Sequence, residues 1–163
     1  MLEIEETGSV LGARIHNVSL EKVPNTRMVG YIETALERYG VLIFPNQRIS
    51  PKQMIAFSAS LGELELTELE AARLDGYEEI FVVGNVGKGL VSFSPESNEQ
   101  ELEWHSDHIH HEVAARASLL YAREVPDVGG DTLFACMYHA YDALEEEEKK
   151  HPEMEKVVEN ENL

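Results

Sequence analysis

The chain begins with short apolar stretches, which are followed by apolar residues at helical spacing. Residues 4–20 contain apolar stretches broken by Gly8 and Gly12, a pattern that predicts one or two opening strands. Residues 24–40 predict a helix, and Gly40 stands where a left-handed turn would end it. The apolar positions that indicate this helix are Met28, Ile32, Ala35, Leu36 and Tyr39.

A second helix is indicated by the residue types at its ends. In residues 50–62, Ser50 is a favourable N-cap, Pro51 falls at the first helical position, and Gln53 completes a capping box. Gly62 is predicted to end this helix. The apolar stretch just before it, residues 41–45, predicts a short buried strand closed by its proline.

The rest of the chain alternates between strand, turn and loop patterns. Residues 79–87 predict a strand running into a glycine turn, and the polar residues 93–103 predict a loop. Residues 117–137 predict two strands joined by a tight turn, and residues 138–150 predict a helix. Tyr138, Tyr141 and Leu144 are expected on the inner face of that helix. Helices precede most of the strands, so we predict an α+β fold in which helices pack outside a β-sheet core.

Composition narrows the function classes. The chain has 163 residues, which suits one domain, and a formal net charge of −18, which disfavours binding to nucleic acid or to anionic membranes. Residues 1–10 do not resemble a secretory signal, and no apolar run is long enough to cross a bilayer. Cys136 is the single cysteine, so we expect a reducing, cytoplasmic setting. Residues 145–163 carry eight acids and three lysines and are expected to form a helix end and a loose tail.

Four of the seven histidines lie in residues 104–112, with the sequence WHSDHIHHE. On an extended strand His105 and Asp107 would share one face, and His108 would point to the other. An imidazole and a carboxylate suit Fe(II), Mn(II) or Zn(II), and a second, distant histidine would complete a facial triad. On a helix, His108 would instead lie beside His105, but these residues lack a long apolar helical stripe. An isolated His-x-Asp pair is a weak signal, because most such pairs are surface residues.

The surrounding residues resemble a known family. The segments are WHSD, then SLLYAREVPDVGGDTLFACMYHAYDAL, and upstream GARIHNVSL and YGVLIFPNQRISPKQMIAFSASLGELE. Together they resemble the Fe(II)/2-oxoglutarate-dependent dioxygenases of the taurine dioxygenase and 2,4-dichlorophenoxyacetate dioxygenase type. This resemblance extends from about Gly12 to Leu144. It implies a double-stranded β-helix, or jelly roll, with flanking helices, and residues 1–144 would be the N-terminal part of that domain.

The resemblance also implies a cofactor, a cosubstrate and roles for individual residues. His105 and Asp107 would be the first two ligands of Fe(II), and Thr132 would hydrogen-bond a carboxylate of 2-oxoglutarate. The reaction would hydroxylate a small organic substrate. Gly129 and Gly130 would permit a tight turn next to this site.

Two features of the family's site do not appear in this sequence. The family has a second histidine ligand and a 2-oxoglutarate-binding arginine far downstream, whereas the later histidines here are His139, in a predicted helix, and His151, in the acidic tail. We therefore expect the front half of a dioxygenase, with little or no turnover from these residues alone. A complementing chain or a homo-oligomer is expected to cover its open sheet edge. The alternatives are a non-catalytic remnant that serves as an interaction or dimerisation module, and a zinc protein that uses the histidine cluster.

Substrate recognition is also expected to differ from that of the taurine-specific members. Thr67 and Glu70 occupy the places of their substrate-contacting residues, and Glu101 replaces an asparagine. An acid at that position disfavours a sulfonate by charge repulsion, so taurine is not the expected substrate. His108 is expected near the mouth of the pocket. The remaining two histidines of the cluster, His110 and His111, are expected to bind no metal.

Overall fold

A computed structural model describes residues 2–66, 69–84, 104–108 and 111–150, which divide into two compact units, Met1–Trp104 and His105–Leu163. The strands of the first unit are β1 (Glu3–Glu6), β2 (Ala13–His16), β3 (Leu42–Ile43), β4 (Arg73–Leu74) and β5 (Tyr77–Phe81). Its helices are α1 (Thr26–Tyr39) and α2 (Pro51–Ala59), and a 3₁₀ turn spans Glu70–Ala72. The second unit contains α3 (Met137–Asp142) and α4 (Glu146–Lys149).

The central strand of the first unit is β2. It pairs antiparallel with β1, with Ile4 opposite Ile15, and parallel with β3, with Ala13 opposite Leu42. Ala13 and Ile15 are buried whereas Arg14 between them is exposed, which is the alternation of a strand with one covered face. The predicted opening strands are therefore confirmed. β4 and β5 form a separate two-stranded sheet, and neither sheet is closed within the described residues.

Helix α1 ends at the predicted glycine and begins at Thr26, two residues after the start of the predicted range. The Asn25 side chain accepts a hydrogen bond from the Met28 backbone N–H at 3.0 Å, which caps the first turn. At the other end Gly40 adopts a positive φ of 67°, and its N–H donates to the Leu36 carbonyl at 2.8 Å. Ile32 and Ala35 on the predicted apolar face are buried.

Helix α2 begins as predicted but ends early. Ser50 and Gln53 form the capping box, in which the Ser50 N–H donates to the Gln53 side chain at 2.8 Å. The helix ends at Ala59, so the predicted end at Gly62 is wrong. The Ser60 hydroxyl donates to the Phe57 carbonyl at 2.6 Å and tightens the last turn before the glycine is reached. Phe57 is 1% exposed and packs edge-on against Phe44.

Three further predictions about packing are wrong. β3 is not a buried strand, because Ile43 is 40% exposed and within the described residues β3 pairs only with β2. The helix predicted over residues 138–150 is interrupted at Ala143–Glu145, where Glu145 starts a new capping box for α4. The side chains predicted to face inward from that helix are exposed: Tyr138, Tyr141 and Leu144.

The strands predicted in residues 117–137 are also absent. Residues 117–136 are irregular, because a strand needs a hydrogen-bonded neighbour and none of the described residues of the second unit supplies one. The tight turn predicted at Gly129 and Gly130 is confirmed, since these residues have positive φ angles of 78° and 72°. A Cβ at Gly130 would lie 3.1 Å from the Pro126 ring, which shows how closely the turn folds back.

Among the described helices, none has the length and apolar character that a membrane span requires.

Candidate metal centre

His105 and Asp107 approach each other, although not on a strand. The His105 Nε2 and Asp107 Oδ1 atoms are 3.3 Å apart. Asp107 and His108 lie in a turn, His108 has a positive φ of 52°, and the His111 N–H donates to the His108 carbonyl at 3.2 Å. The prediction of one strand continuing through these residues is therefore wrong. Histidine is one of the non-glycine residues that adopt the left-handed conformation more readily, and at His108 it turns the chain away from a straight strand.

The separation of the two side-chain atoms fits joint coordination of one ion. Nitrogen and oxygen ligands lie about 2.0–2.2 Å from a divalent transition metal. Two such ligands in adjacent positions, at angles of about 90–110°, are therefore about 2.8–3.6 Å apart. The observed 3.3 Å between His105 Nε2 and Asp107 Oδ1 falls in this range. The two residues thus meet the geometric requirement for two adjacent ligands.

Solvent exposure shows that this contact is not a major source of folding stability. The side chains of His105 and Asp107 are 57% and 49% exposed. Ion pairs with that exposure contribute about 0–1 kcal/mol, because water screens them. Solvent access to both side chains also leaves room for an ion and further ligands.

Asp107 has a second partner that was not predicted from the sequence. The Ser118 hydroxyl donates a hydrogen bond to Asp107 Oδ2 at 2.6 Å. Serine is common at surfaces, and the two residues are 11 positions apart, so no local spacing marks the contact. The contact can be recognised only in the folded structure.

His108 and His111 form a second contact within the cluster. Their rings are 4.9 Å apart in an edge-to-face arrangement, and both side chains are half-buried. The expectation that His108 points away from His105 on the opposite strand face does not apply, because these residues do not form a strand. The expectation that His111 binds no metal stays a prediction.

The other residues singled out in the sequence are less informative. Thr132 is exposed in the irregular segment that follows the glycine turn. His139 is exposed on α3, and Glu70 pairs with Arg73 at 3.7 Å. Four residues of interest fall outside the described ranges: Thr67, Glu101, His110 and His151.

Comparison with protein families identifies the class of protein. The model of the taurine catabolism dioxygenase TauD, TfdA family matches residues 3–154, and the chain belongs to this family. The predicted resemblance is confirmed. Proteins of this family use Fe(II) and 2-oxoglutarate. Family membership supports the jelly-roll fold class, although the described residues do not form a complete roll.

Curated relatives refine the comparison. The chain is 31% identical over 153 residues to (S)-phenoxypropionate/alpha-ketoglutarate-dioxygenase of Delftia acidovorans, a match that covers 89% of this chain and 50% of that protein. It is 34% identical over 143 residues to alpha-ketoglutarate-dependent 2,4-dichlorophenoxyacetate dioxygenase of Cupriavidus pinatubonensis, covering 83% of this chain and 50% of that protein. The chain thus spans about half the length of these curated relatives.

A solved structure is similar across nearly all of the chain. It is the crystal structure of AAD-2 in complex with Mn(II) and N-oxalylglycine, which is 28% identical and has a TM-score of 0.66. The match covers 92% of this chain and 48% of that one. A relative of the same fold therefore binds a divalent transition metal together with an organic ligand.

Proposed function

We propose that this chain supplies the N-terminal half of an Fe(II)- and 2-oxoglutarate-dependent oxygenase that hydroxylates a small organic substrate. The observation that carries the proposal is the 3.3 Å approach of His105 Nε2 to Asp107 Oδ1 in a member of this family. The compartment is the cytoplasm, in keeping with the one free thiol at Cys136.

His105 and Asp107 would hold the iron through one nitrogen and one oxygen. Activation of O₂ is the chemistry that iron and 2-oxoglutarate supply when bound. The Asp107 carboxylate offsets part of the charge of a divalent ion, and the neutral His105 imidazole donates a lone pair. Two protein ligands on one side leave the remaining coordination positions accessible to other ligands. These residues therefore provide two of the three protein ligands of a facial triad.

Thr132 would orient the cosubstrate. Its hydroxyl is exposed after the turn formed by Gly129 and Gly130, so it is accessible as a hydrogen-bond donor to a carboxylate. Glu101 and His108 are proposed to border the substrate pocket. A carboxylate at Glu101 disfavours an anionic sulfonate, which supports a substrate other than taurine.

A complementing polypeptide is the proposed partner. The second unit has no buried side chain among its described residues, and large apolar groups are exposed along residues 128–144, with Tyr138 at 83%. Apolar surfaces of this kind mark places where protein packs against protein. The matched relatives are about twice as long as this chain. We propose that a polypeptide equivalent to their second half covers these residues and supplies the remaining histidine ligand and the arginine that binds 2-oxoglutarate.

A non-catalytic interaction or dimerisation module is the second candidate. The same exposed apolar residues favour it, because they would equally form a contact between two copies of the chain. This candidate requires no metal, so metal binding separates the two.

The test is an anaerobic titration of the full chain with Fe(II) and 2-oxoglutarate. Calorimetry measures binding, and thermal unfolding measures the change in stability. Binding should be lost in His105→Ala and in Asp107→Ala and kept in His139→Ala, the control for removing an exposed histidine. Turnover of 2-oxoglutarate to succinate should require addition of the relatives' second half. Unchanged stability with every metal would favour the interaction module, and stabilisation by zinc alone would favour a zinc protein.

A further inference from the structure

The two oxygens of Asp107 have different partners. Oδ1 lies 3.3 Å from His105 Nε2, whereas Oδ2 accepts the Ser118 hydroxyl at 2.6 Å. That second distance falls in the range of about 2.5–2.7 Å expected for a hydroxyl donating to an ionised carboxylate. The carboxylate is thus held by a strong hydrogen bond on the side away from His105.

An aspartate in this setting needs such a restraint. The torsion that turns a carboxylate about its Cβ–Cγ bond has a broad energy minimum, so the two oxygens exchange places easily. The Asp107 side chain is 49% exposed, and packing alone leaves this rotation open. The hydrogen bond from Ser118 opposes it and also ties the turn at Asp107 to a segment 11 residues further along.

We propose that Ser118 is a positioning residue for the metal centre: its hydroxyl holds Oδ2 so that Oδ1 faces the same point as His105 Nε2. This inference rests on the proposed function, because it assumes that His105 and Asp107 are ligands. Carboxylate ligands of metal sites are themselves commonly hydrogen-bonded, and loss of such a partner weakens metal binding about 10–100-fold. Occupation of Oδ2 also favours coordination through one oxygen rather than two.

The test uses Co(II), whose visible absorption reports the number and arrangement of ligands. Ser118→Ala in the full chain should weaken Co(II) binding about 10–100-fold and change the visible spectrum, because the released carboxylate can bind through both oxygens. Ser118→Thr keeps the hydroxyl at an exposed position and should restore the affinity and the spectrum of the wild-type chain. Ser118→Cys, which has a similar size but is a poor donor, should behave like the alanine variant. Ser9→Ala removes an exposed serine of the first unit and is the matched control.

Failure of this inference is distinct from failure of the proposed function. If His105→Ala abolishes Co(II) binding while Ser118→Ala leaves both affinity and spectrum unchanged, Ser118 has no positioning role and the metal centre stands. If His105→Ala and Asp107→Ala have no effect on Co(II) binding, the metal centre itself is wrong. Thermal unfolding without metal should be the same for Ser118→Ala and Ser9→Ala; a loss of folding confined to Ser118→Ala and reversed by Ser118→Cys would make Ser118 a packing residue and overturn the inference.

Discussion

A Cβ atom placed on Gly40 would lie 2.7 Å from the Cδ2 atom of Leu11. This close approach occurs where the end of α1 meets the loop before β2. The Gly12 N–H donates to the Tyr39 carbonyl at 2.9 Å, and the Ala13 N–H donates to the Val41 carbonyl at 2.9 Å. A side chain at Gly40 would therefore displace the end of the Leu11 side chain at the place where these two backbone segments are hydrogen-bonded to each other.

Gly40→Ala should destabilise the protein strongly. Its φ of 67° costs about 1–2 kcal/mol for a residue with a Cβ, and the contact with Leu11 adds to that cost. Urea unfolding monitored by circular dichroism measures the change. Gly30→Ala is the matched control, because Gly30 is inside α1 with no atom within 4 Å of its Cβ position. That control should stabilise by about 0.5–1 kcal/mol, and equal effects of the two substitutions would contradict the prediction.

Ser50→Ala should lower the free energy of unfolding by about 1 kcal/mol, because it removes the side-chain oxygen that caps α2. The same urea titration measures the loss. Lys52→Ala, an exposed substitution in the same first turn, should change the free energy of unfolding by no more than about 0.5 kcal/mol. A comparable loss in both variants would show that the capping box does not stabilise the helix.

Gln47→Glu should destabilise the first unit by about 1–3 kcal/mol near neutral pH. The Gln47 side chain accepts from the Leu20 N–H at 2.9 Å and donates to the Val18 and Pro45 carbonyls at 2.9 and 3.0 Å. A carboxylate at this position can still accept from the Leu20 N–H. It has no proton to donate to the two carbonyl oxygens. Acidification protonates the introduced carboxylate and restores a donor, so the difference in stability from the wild type should shrink as the pH falls. A difference that is independent of pH would argue against this hydrogen-bond arrangement.

Thr132→Val should weaken binding of 2-oxoglutarate or N-oxalylglycine by about tenfold or more, because hydrogen bonds to charged groups contribute about 1.5–3 kcal/mol. Calorimetry on the chain combined with the relatives' second half measures the affinity. Thr132→Ser keeps the hydroxyl and should bind like the wild type. Thr34→Val, which removes a threonine hydroxyl on α1, is the control. An equal loss in the serine and valine variants would show that the hydroxyl does not contact the cosubstrate.

Local features of this fold were predictable from the sequence, whereas features that depend on distant partners were not. The end of α1 and the start of α2 depend on residues three or four positions apart, so Gly40, Ser50 and Gln53 mark them directly. Burial of β3 and strand formation in residues 117–136 depend on neighbours elsewhere, and the apolar pattern contains no information on whether these are present. The approach of His105 to Asp107 was expected from their spacing, but the turn that follows it depends on the conformation of His108, which the spacing does not indicate.

The pairing of β1 with β2 has a consequence for how the chain finds its fold. Residues 7–12 join these strands through a loop rather than a two-residue turn, so the connection alone does not dictate the alignment Ile4 opposite Ile15. A slip of β2 by one position would bring the Arg14 guanidinium into the apolar interior and expel Ile15 into water. A misaligned pairing is thus destabilised because it buries a charged side chain and exposes an apolar one. The correct alignment is therefore favoured during folding, although no two-residue turn specifies it.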